Sequence, residues 1–338
     1  MKGALLVNLG SPDSTKVKDV RKYLDQFLMD ERVIDIPYLL RAFVVKGIIL
    51  NTRPKKSAEA YKKIWWPEGS PLIVLSERLL DKVVQKTEVT TELAMRYGNP
   101  SIEKGIESLV KQGVNEILLL PLYPQFAMAT TETIEVLAEK IVRKKYPHVK
   151  IHKFPAFYND ENYIKVLSES IAKDLEKNKP DHLLFSYHGV PERHIKKSDI
   201  TQSHCKIDGS CCNTPSKAHE FCYRHQCYQT TKNVAKALNL KEGSYSTSFQ
   251  SRLGKDPWLQ PYTDATIDEF PDKDIKNLSV VTPAFVSDCL ETLEEIGMEA
   301  KESFIENGGA QFRTIPCLND QEDWAEVITN WINKWVNS

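Results

Sequence analysis

The chain has 338 residues, of which 41% are hydrophobic, and it carries 45 Lys and Arg against 46 Asp and Glu. This length suits one large domain or two ordinary ones with a substantial core, and the near-zero net charge argues against a nucleic-acid partner. No run approaches the ~18 consecutive apolar residues of a membrane-spanning helix, and the short apolar start lacks the regions of a signal peptide. We therefore expect a cytoplasmic protein, in which cysteines are more often metal ligands or thiols than structural disulfides.

Predicted strands and helices alternate along the chain with short connections. Buried strands are predicted at 3–9, 88–96, 116–120, 183–187 and 278–285, and helices at 102–112, 132–145, 161–178, 287–300 and 321–336. The strands at 117–120 and 183–187 both end in a proline-containing loop, which indicates an internal repeat. The fold class is therefore α/β, with two similar Rossmann-like halves whose mostly parallel sheets face one cleft. We place the halves at 1–155 and 156–318, and a C-terminal helix at 319–338 that packs on the body.

Two stretches of the first half have unusual composition. Residues 20–50 are helical in pattern and strongly apolar, for which core packing is the default interpretation. Residues 53–70 carry five cations around Tyr61, a pattern that most often marks a solvated basic face.

The second half contains a histidine at a predicted strand end. The apolar run 183–187 is typical of a buried strand in a parallel sheet, and His188, Gly189 and Pro191 end it abruptly. Ligands of open α/β sheets bind outside the carboxyl ends of the strands. His188 is therefore a candidate ligand-binding residue, although a histidine that caps the sheet and binds nothing fits this stretch equally well.

An acidic stripe follows the predicted strand at 278–285. On the predicted helix 287–300, Asp288, Glu291, Glu295 and Glu299 recur at spacings of three or four residues and share one face. Like charges at this spacing destabilise a helix, so the stripe needs open solvent or a cation. A histidine that faces carboxylates can bind a divalent metal or transfer protons.

Five cysteines fall within residues 203–227, namely Cys205, Cys211, Cys212, Cys222 and Cys227. In a cytoplasmic chain such density most often indicates a metal site, either structural zinc or an iron–sulfur cluster. The spacing lacks the paired C-x₂-C knuckles of zinc ribbons. Free thiols or disulfides remain the alternative, and five candidates compete for four ligand places.

Eight segments, in order, resemble those of the ferrochelatases, the enzymes that insert ferrous iron into a porphyrin. They are NLGSP at 8–12, GSPL at 69–72, RY at 96–97, YPQ at 123–125, FSYHGVP at 185–191, SFQSR at 248–252, PWLQPYTD at 257–264 and DCLETL at 288–293. The resemblance extends from about residue 3 to the last helix. It implies the last step of haem synthesis, with protoporphyrin IX and ferrous iron as substrates.

The resemblance also implies roles for individual residues. His188 would lie at the porphyrin centre as proton acceptor or metal ligand, with Glu291 as its partner and Glu295, Glu299 and Asp288 as a path for protons or metal. The residues that would contact the porphyrin or its propionates are Leu9, Arg53, Lys56, Tyr61, Ser70, Arg96, Tyr97, Tyr123 and Trp258. Cys289 stands where some members have a second histidine, and Trp65 and Trp66 stand where glycines are usual.

Three further implications concern cofactor and location. The segment at about 194–228 resembles an insertion that binds a [2Fe-2S] cluster through four cysteines in a subgroup of bacterial ferrochelatases. Residues 20–50 would include an apolar lip at Phe27, Leu28 and Val33, through which the protein could touch the inner membrane peripherally. The sequence leaves open whether the protein is a monomer or a homodimer.

Two other functions remain open at this point. A chelatase for another tetrapyrrole or metal, such as cobalt, would use a related fold and similar chemistry. A non-enzymatic tetrapyrrole-binding or cluster-sensing protein would not need both His188 and Glu291.

Overall fold

The computed structural model describes residues 1–252 and 256–338, within which two parallel four-stranded sheets form the framework. The strands are β1 Lys2–Asn8, β2 Thr91–Met95, β3 Glu116–Pro121, β4 Lys150–Lys153, β5 His182–His188, β6 Tyr245–Gln250, β7 Asn277–Val281 and β8 Gln311–Thr314. The first sheet has the order β2-β1-β3-β4 and the second the order β6-β5-β7-β8. The predicted α/β class is confirmed, and the two sheets have the same strand order.

Helices connect and cover these strands. The α-helices are α1 Val17–Leu28, α2 Tyr38–Ala42, α3 Leu50–Ile64, α4 Pro71–Val84, α5 Ile102–Lys111, α6 Thr133–Lys145, α7 Glu161–Asn178, α8 Glu192–Lys197, α9 Tyr223–Ala237, α10 Thr263–Glu269, α11 Lys301–Glu306 and α12 Glu322–Val336. The segments Phe43–Ile49, Met128–Glu132 and Glu291–Ala300 are π-helical. No helix in the described ranges is long and apolar enough to cross a membrane.

The chain divides into two compact units with one sheet each. The first unit comprises residues 1–122, 128–155 and 319–338, and the second comprises 123–127 and 156–318. In the second unit, Leu184 and Val280 of the sheet pack with Ile296 and Phe304 of the covering helices. Strands of this kind are apolar along their whole length because helices bury both faces of the sheet.

The first strand of each sheet lies at the point where the strand order reverses. β1 pairs with β2 on one side and β3 on the other, and β5 pairs in the same way with β6 and β7. This topological switch point is where open α/β sheets bind ligands. β5 therefore corresponds to β1, whereas the sequence repeat had matched it to β3.

Several predicted helix boundaries were wrong, and local hydrogen bonds explain the differences. The apolar stretch 20–50 is interrupted after Leu28, because Asp30 Oδ1 accepts a hydrogen bond from the Arg32 amide at 2.8 Å and closes a turn. The helix expected from residue 287 begins at Glu291. Helix α9 begins at Tyr223 and places Cys227 inside it.

Candidate active site

His188 is the last residue of β5, as the sequence predicted, and its ring is half-buried. Nδ1 lies 2.7 Å from the carbonyl oxygen of Gly189. Because a carbonyl can only accept, Nδ1 is the donor, and in the neutral imidazole the lone pair is then on Nε2. Tyr223 donates a hydrogen bond of 2.8 Å to the His188 carbonyl and anchors the strand end. The imidazole is therefore oriented with one nitrogen ready to accept a proton or bind a metal.

Trp258 packs on the backbone that follows His188. A Cβ atom at Gly189 would lie 2.8 Å from the Gln250 carbonyl oxygen and 3.3 Å from Cε3 of Trp258, so this position accommodates only glycine without movement. Pro191 and Trp258 form an antiparallel bridge. The indole therefore lies against the loop that follows His188, within the second unit.

The acidic stripe is shorter than predicted. Glu291, Glu295 and Glu299 lie on the π-helical segment after β7, the strand that pairs with β5. Asp288 precedes this segment and is buried, where its Oδ1 accepts hydrogen bonds from Thr292 Oγ1 at 2.9 Å and the Cys317 amide at 3.4 Å. Asp288 therefore ties the loop to the chain before α12 and does not continue the stripe.

Glu295 has the most perturbed acidity of the stripe. Burial raises the pKa of its carboxyl to about 7, and the charges of Glu291, Glu294 and Glu299 act in the same direction. Ser251, which has a left-handed φ of 64°, donates a short hydrogen bond to Glu295 Oε2 and opposes the rise. Near neutral pH the Glu295 carboxyl can both take up and release a proton. Glu299, at the far end of the stripe, is exposed.

In the first unit, Leu9 follows β1 at the position equivalent to Gly189 after β5. The nearby side chains of Arg96 and Tyr97 both bind Asp30 of the same unit. Arg96 forms an ion pair with Asp30 Oδ2, and the Tyr97 hydroxyl donates to the same oxygen at 3.0 Å. Tyr97 is only 1% exposed, and burial raises its pKa. Hydrogen bonds and the Arg96 charge outweigh the effect of burial on Asp30 and hold its pKa below the usual range.

The remaining predicted porphyrin contacts differ in exposure. Arg53 and Lys56 are exposed one turn apart on α3, and neither has an ion-pair partner in the described ranges. Tyr61 on the same helix is buried, with its ring edge-on to Tyr23 and Trp65. Two further positions are also buried, namely Ser70 in the first unit and Tyr123 in the second.

The cysteine segment brings several thiols together. The thiols of Cys205 and Cys212 lie near that of Cys222, the residue that precedes α9, and the interaction with Cys222 contributes to the raised pKa of Cys212. Cys211 Sγ accepts a hydrogen bond of 3.2 Å from the Lys206 amide. All seven cysteines of the chain are free thiols. No group of three or more His, Cys, Asp or Glu side chains in the described ranges has the arrangement that would hold a metal ion.

Arg224 lies buried among these thiols. Its guanidinium donates to the Ile207 carbonyl at 2.6 Å and lies 3.7 Å from Cys211 Sγ, and its Nε has no hydrogen-bond partner in the described chain. Cys227, in contrast, is completely buried within α9, and burial raises its pKa well above the ordinary value.

Sequence reasoning missed three residues of these sites: Asp30, Arg224 and Ser251. Ser251 lies within the SFQSR segment, which was a signal for the site but did not indicate which carboxylate the hydroxyl contacts. Asp30 and Arg224 carried no motif, because their roles arise from contacts with residues distant in sequence.

Comparisons with known proteins agree with the resemblance. The ferrochelatase family model matches residues 1–335. The ferrochelatases of Stutzerimonas stutzeri and Pseudomonas syringae pv. tomato are 48% and 49% identical over 326 and 325 residues, which is 96% of this chain and 95% of each relative. Two structures of SirB from Bacillus subtilis, with Fe³⁺ and with cobalt, match with TM-scores of 0.55 and 0.53 at 14% and 13% identity. Both matches cover 98% of this chain and 94% of SirB, and they indicate the chelatase-like fold.

Proposed function

The chain belongs to the ferrochelatase family and inserts ferrous iron into protoporphyrin in haem synthesis, and we propose that His188 and Glu291 act on the metal and the pyrrole protons. This proposal rests on the position of His188 at the end of β5, the strand at the topological switch point, with Nδ1 turned to the Gly189 carbonyl. Glu291 begins the helical segment that follows β7, the neighbouring strand.

Metal insertion requires two pyrrole protons to leave while a divalent ion enters the macrocycle. Nε2 of His188 accepts a proton or delivers the ion, and the glutamates provide the route to or from solvent. Glu291 and Glu295 are partly buried and Glu299 is exposed, so the stripe leads from the interior to the surface. The raised pKa of Glu295 suits a carboxyl that relays protons near pH 7. Asp288 stabilises the loop before Glu291 through its hydrogen bonds with Thr292 and the Cys317 amide.

The test is anaerobic turnover with ferrous iron and protoporphyrin, followed by loss of porphyrin fluorescence. His188→Ala should lower kcat about 100-fold or more, the usual contribution of a positioned proton-transfer group, while leaving porphyrin binding unchanged. His148→Ala is the matched control, because His148 is exposed in the first unit. Turnover by His188→Ala close to that of His148→Ala would remove His188 from the mechanism.

Exposed cations of α3 are proposed to hold the porphyrin propionates. Arg53 and Lys56 are free to make charge-assisted hydrogen bonds, which are the strong ones. Leu9 and Trp258 supply apolar surface to the macrocycle, and the Tyr97 amide holds Leu9 by donating to its carbonyl at 2.9 Å. Tyr61, Ser70 and Tyr123 are buried, and Arg96 and Tyr97 are bound to Asp30.

A substrate with esterified propionates tests this assignment. Arg53→Ala should weaken binding of the free acid by about 1.5–3 kcal/mol, the range for a charged hydrogen bond, and should leave binding of the diester unchanged. Lys55→Ala, an exposed neighbour on another face of α3, is the control. Equal losses for acid and diester would contradict the assignment.

We also propose that the cysteine segment holds a [2Fe-2S] cluster, and the donor set fits this group. A [2Fe-2S] cluster takes four thiolates, and three candidate thiols, those of Cys205, Cys212 and Cys222, lie close enough to interact. Arg224 adds a buried cation with an unpartnered Nε beside Cys211, which suits an anionic cluster. These observations favour Cys205, Cys211, Cys212 and Cys222 as ligands over Cys227, which lies inside α9.

Iron and acid-labile sulfide measured after anaerobic purification test the cluster. We expect about two of each per chain, a visible absorption, and loss of both in Cys222→Ser. Cys317→Ser serves as control, because Cys317 is buried beside Thr282 in another part of the second unit. One zinc per chain with no sulfide would refute the cluster. When bound, such a cluster supplies redox chemistry or structural support, and no step of metal insertion depends on it here.

We propose that the protein is cytoplasmic and touches the membrane peripherally. The surface proposed for this contact lies around α2 and differs from the predicted lip at Phe27, Leu28 and Val33. Leu28 is buried. Around α2, in contrast, five large hydrophobic side chains are 51–82% exposed, namely Tyr38, Leu39, Leu40, Phe43 and Ile48. Leu39→Asp should lower cosedimentation with anionic vesicles, and Val17→Asp, on α1, should not. Equal vesicle binding by the parent and both variants would contradict this proposal.

A further inference from the structure

Three polar atoms in the cysteine segment form a nearly equilateral triangle. Nε2 of His204 lies 3.2 Å from Nε2 of His219 and 3.2 Å from the carbonyl oxygen of Cys211, and His219 Nε2 lies 3.3 Å from the same oxygen. The three atoms come from separate turns: the loop before Cys205, the short helix Ser210–Asn213 and the short helix Lys217–Glu220. None of the cysteine thiols belongs to this set.

Hydrogen bonding alone does not satisfy all three edges of the triangle. If both Nε2 atoms carry protons and donate to the Cys211 carbonyl, two donors face each other at 3.2 Å. If only one carries a proton, the other turns its lone pair toward the carbonyl lone pairs at 3.2 or 3.3 Å. Either placement of the Nε2 protons therefore leaves at least one unfavourable contact.

A cation resolves this conflict, because all three atoms can then present lone pairs. Ligands at about 2.0–2.1 Å from a tetrahedral zinc ion stand about 3.3–3.4 Å apart, close to the observed edges of 3.2–3.3 Å. We propose that His204 Nε2, His219 Nε2 and the Cys211 carbonyl form a site for a divalent first-row transition metal such as Zn²⁺. Imidazole is a favoured ligand of these metals, and solvent completes the coordination.

The surroundings orient the two imidazoles. His225 stacks on His219 with ring centroids 3.5 Å apart and an interplanar angle of 13°. His225 Nδ1 donates to the Cys212 carbonyl at 2.8 Å, which fixes the stacked ring. The His204 amide donates to Asp199 Oδ2 at 2.9 Å and positions that loop. Outer contacts of this kind are what hold metal-binding histidines in place.

Both histidines are half-buried, so an ion can enter from solvent. Bound there, it would join three turns of a segment whose other proposed ligands are thiols. The site shares no donor atom with the proposed cluster, since it uses nitrogen and oxygen donors only, and no residue proposed for metal insertion belongs to it.

Zinc titration of the anaerobically purified full-length protein tests the proposal. Calorimetry should show one site per chain, and zinc K-edge X-ray absorption should show nitrogen or oxygen neighbours with imidazole scattering and no sulfur. His204→Gln and His219→Gln, whose amides can still donate to the Cys211 carbonyl, should lower zinc affinity at least tenfold. His148→Ala should bind zinc as the parent does, because His148 is an exposed histidine outside the segment.

Parallel measurements separate this site from the cysteines and from misfolding. Iron and sulfide contents should stay constant through the titration, and zinc should raise the Tm of the parent and His148→Ala but not of His204→Gln. A sulfur shell around zinc, or unchanged zinc affinity in both glutamine variants, would overturn the proposal. Turnover with ferrous iron is measured separately, so its loss or retention bears on the reaction alone.

Discussion

Asp30→Asn should destabilise the first unit strongly, because one carboxylate oxygen accepts three hydrogen bonds. The Asp30 side chain is 5% exposed and its ion-pair partner Arg96 is 17% exposed. Oδ2 accepts from Arg96, from Tyr97 at 3.0 Å and from Thr133. In the variant, the amide nitrogen at either position faces donors, and the partly buried Arg96 guanidinium loses its counter-charge.

The expected cost follows from burial and geometry. Removing one partner of a buried ion pair costs about 3–5 kcal/mol. Adding about 1.5–3 kcal/mol for each of three charged hydrogen bonds would overestimate it, since the bonds share one acceptor. We therefore expect a loss of about 3 kcal/mol at pH 7. Asp13→Asn is the control, because the Asp13–Lys22 pair is 38% and 57% exposed and should contribute about 0–1 kcal/mol.

The pH dependence gives a second measure of the same network. The pKa of Asp30 is lowered in the folded state, so its stabilising contribution is complete above the unfolded pKa of about 4. It is lost as pH falls through the folded pKa. In denaturant titrations, the deficit of Asp30→Asn should therefore shrink below pH 4. A deficit under about 1 kcal/mol at pH 7, or equal to that of Asp13→Asn, would refute the reasoning.

Two other perturbations test the second unit. Gly189→Ala should lower turnover by at least tenfold, because its Cβ would stand 2.8 Å from the Gln250 carbonyl oxygen and force the His188 loop to shift; Gly47→Ala, which meets only Phe43 at 3.7 Å, should not. Glu295→Gln should flatten the pH dependence of stability. The pKa of Glu295 in the folded state is raised from 4.5 to about 7. Protonated Glu295 therefore adds to the free energy of unfolding, by at most about 3 kcal/mol, fully below pH 4.5. This stabilisation is lost as pH rises through 7. Denaturation between pH 5 and 8 measures it, and the exposed Glu302→Gln should behave like the parent. An unchanged pH profile in Glu295→Gln would contradict the raised pKa.

The sequence by itself determined five of the eight strands in the described residues and the place of His188, whereas β4, β6 and β8 were not predicted. A strand covered by helices on both faces must be apolar along its length, so the run at Leu183–Tyr187 identified β5 directly. The change to His188 and Gly189 marked its end, because the chain there needs a close backbone approach that only glycine permits. These features depend on neighbouring residues, and local patterns therefore predict them.

Only the tertiary structure decided which polar groups are available and which are already bound. Arg96 is 66 residues from Asp30 in sequence, yet the two form a largely buried ion pair, so the motif did not show that the Arg96 charge is already paired within the protein. The histidine triangle likewise joins His204 to His219, 15 residues apart, through a backbone carbonyl that no motif records. Hydrogen bonds and ion pairs act over a few ångströms in space, whereas sequence spacing fixes distances only within a single helix or strand.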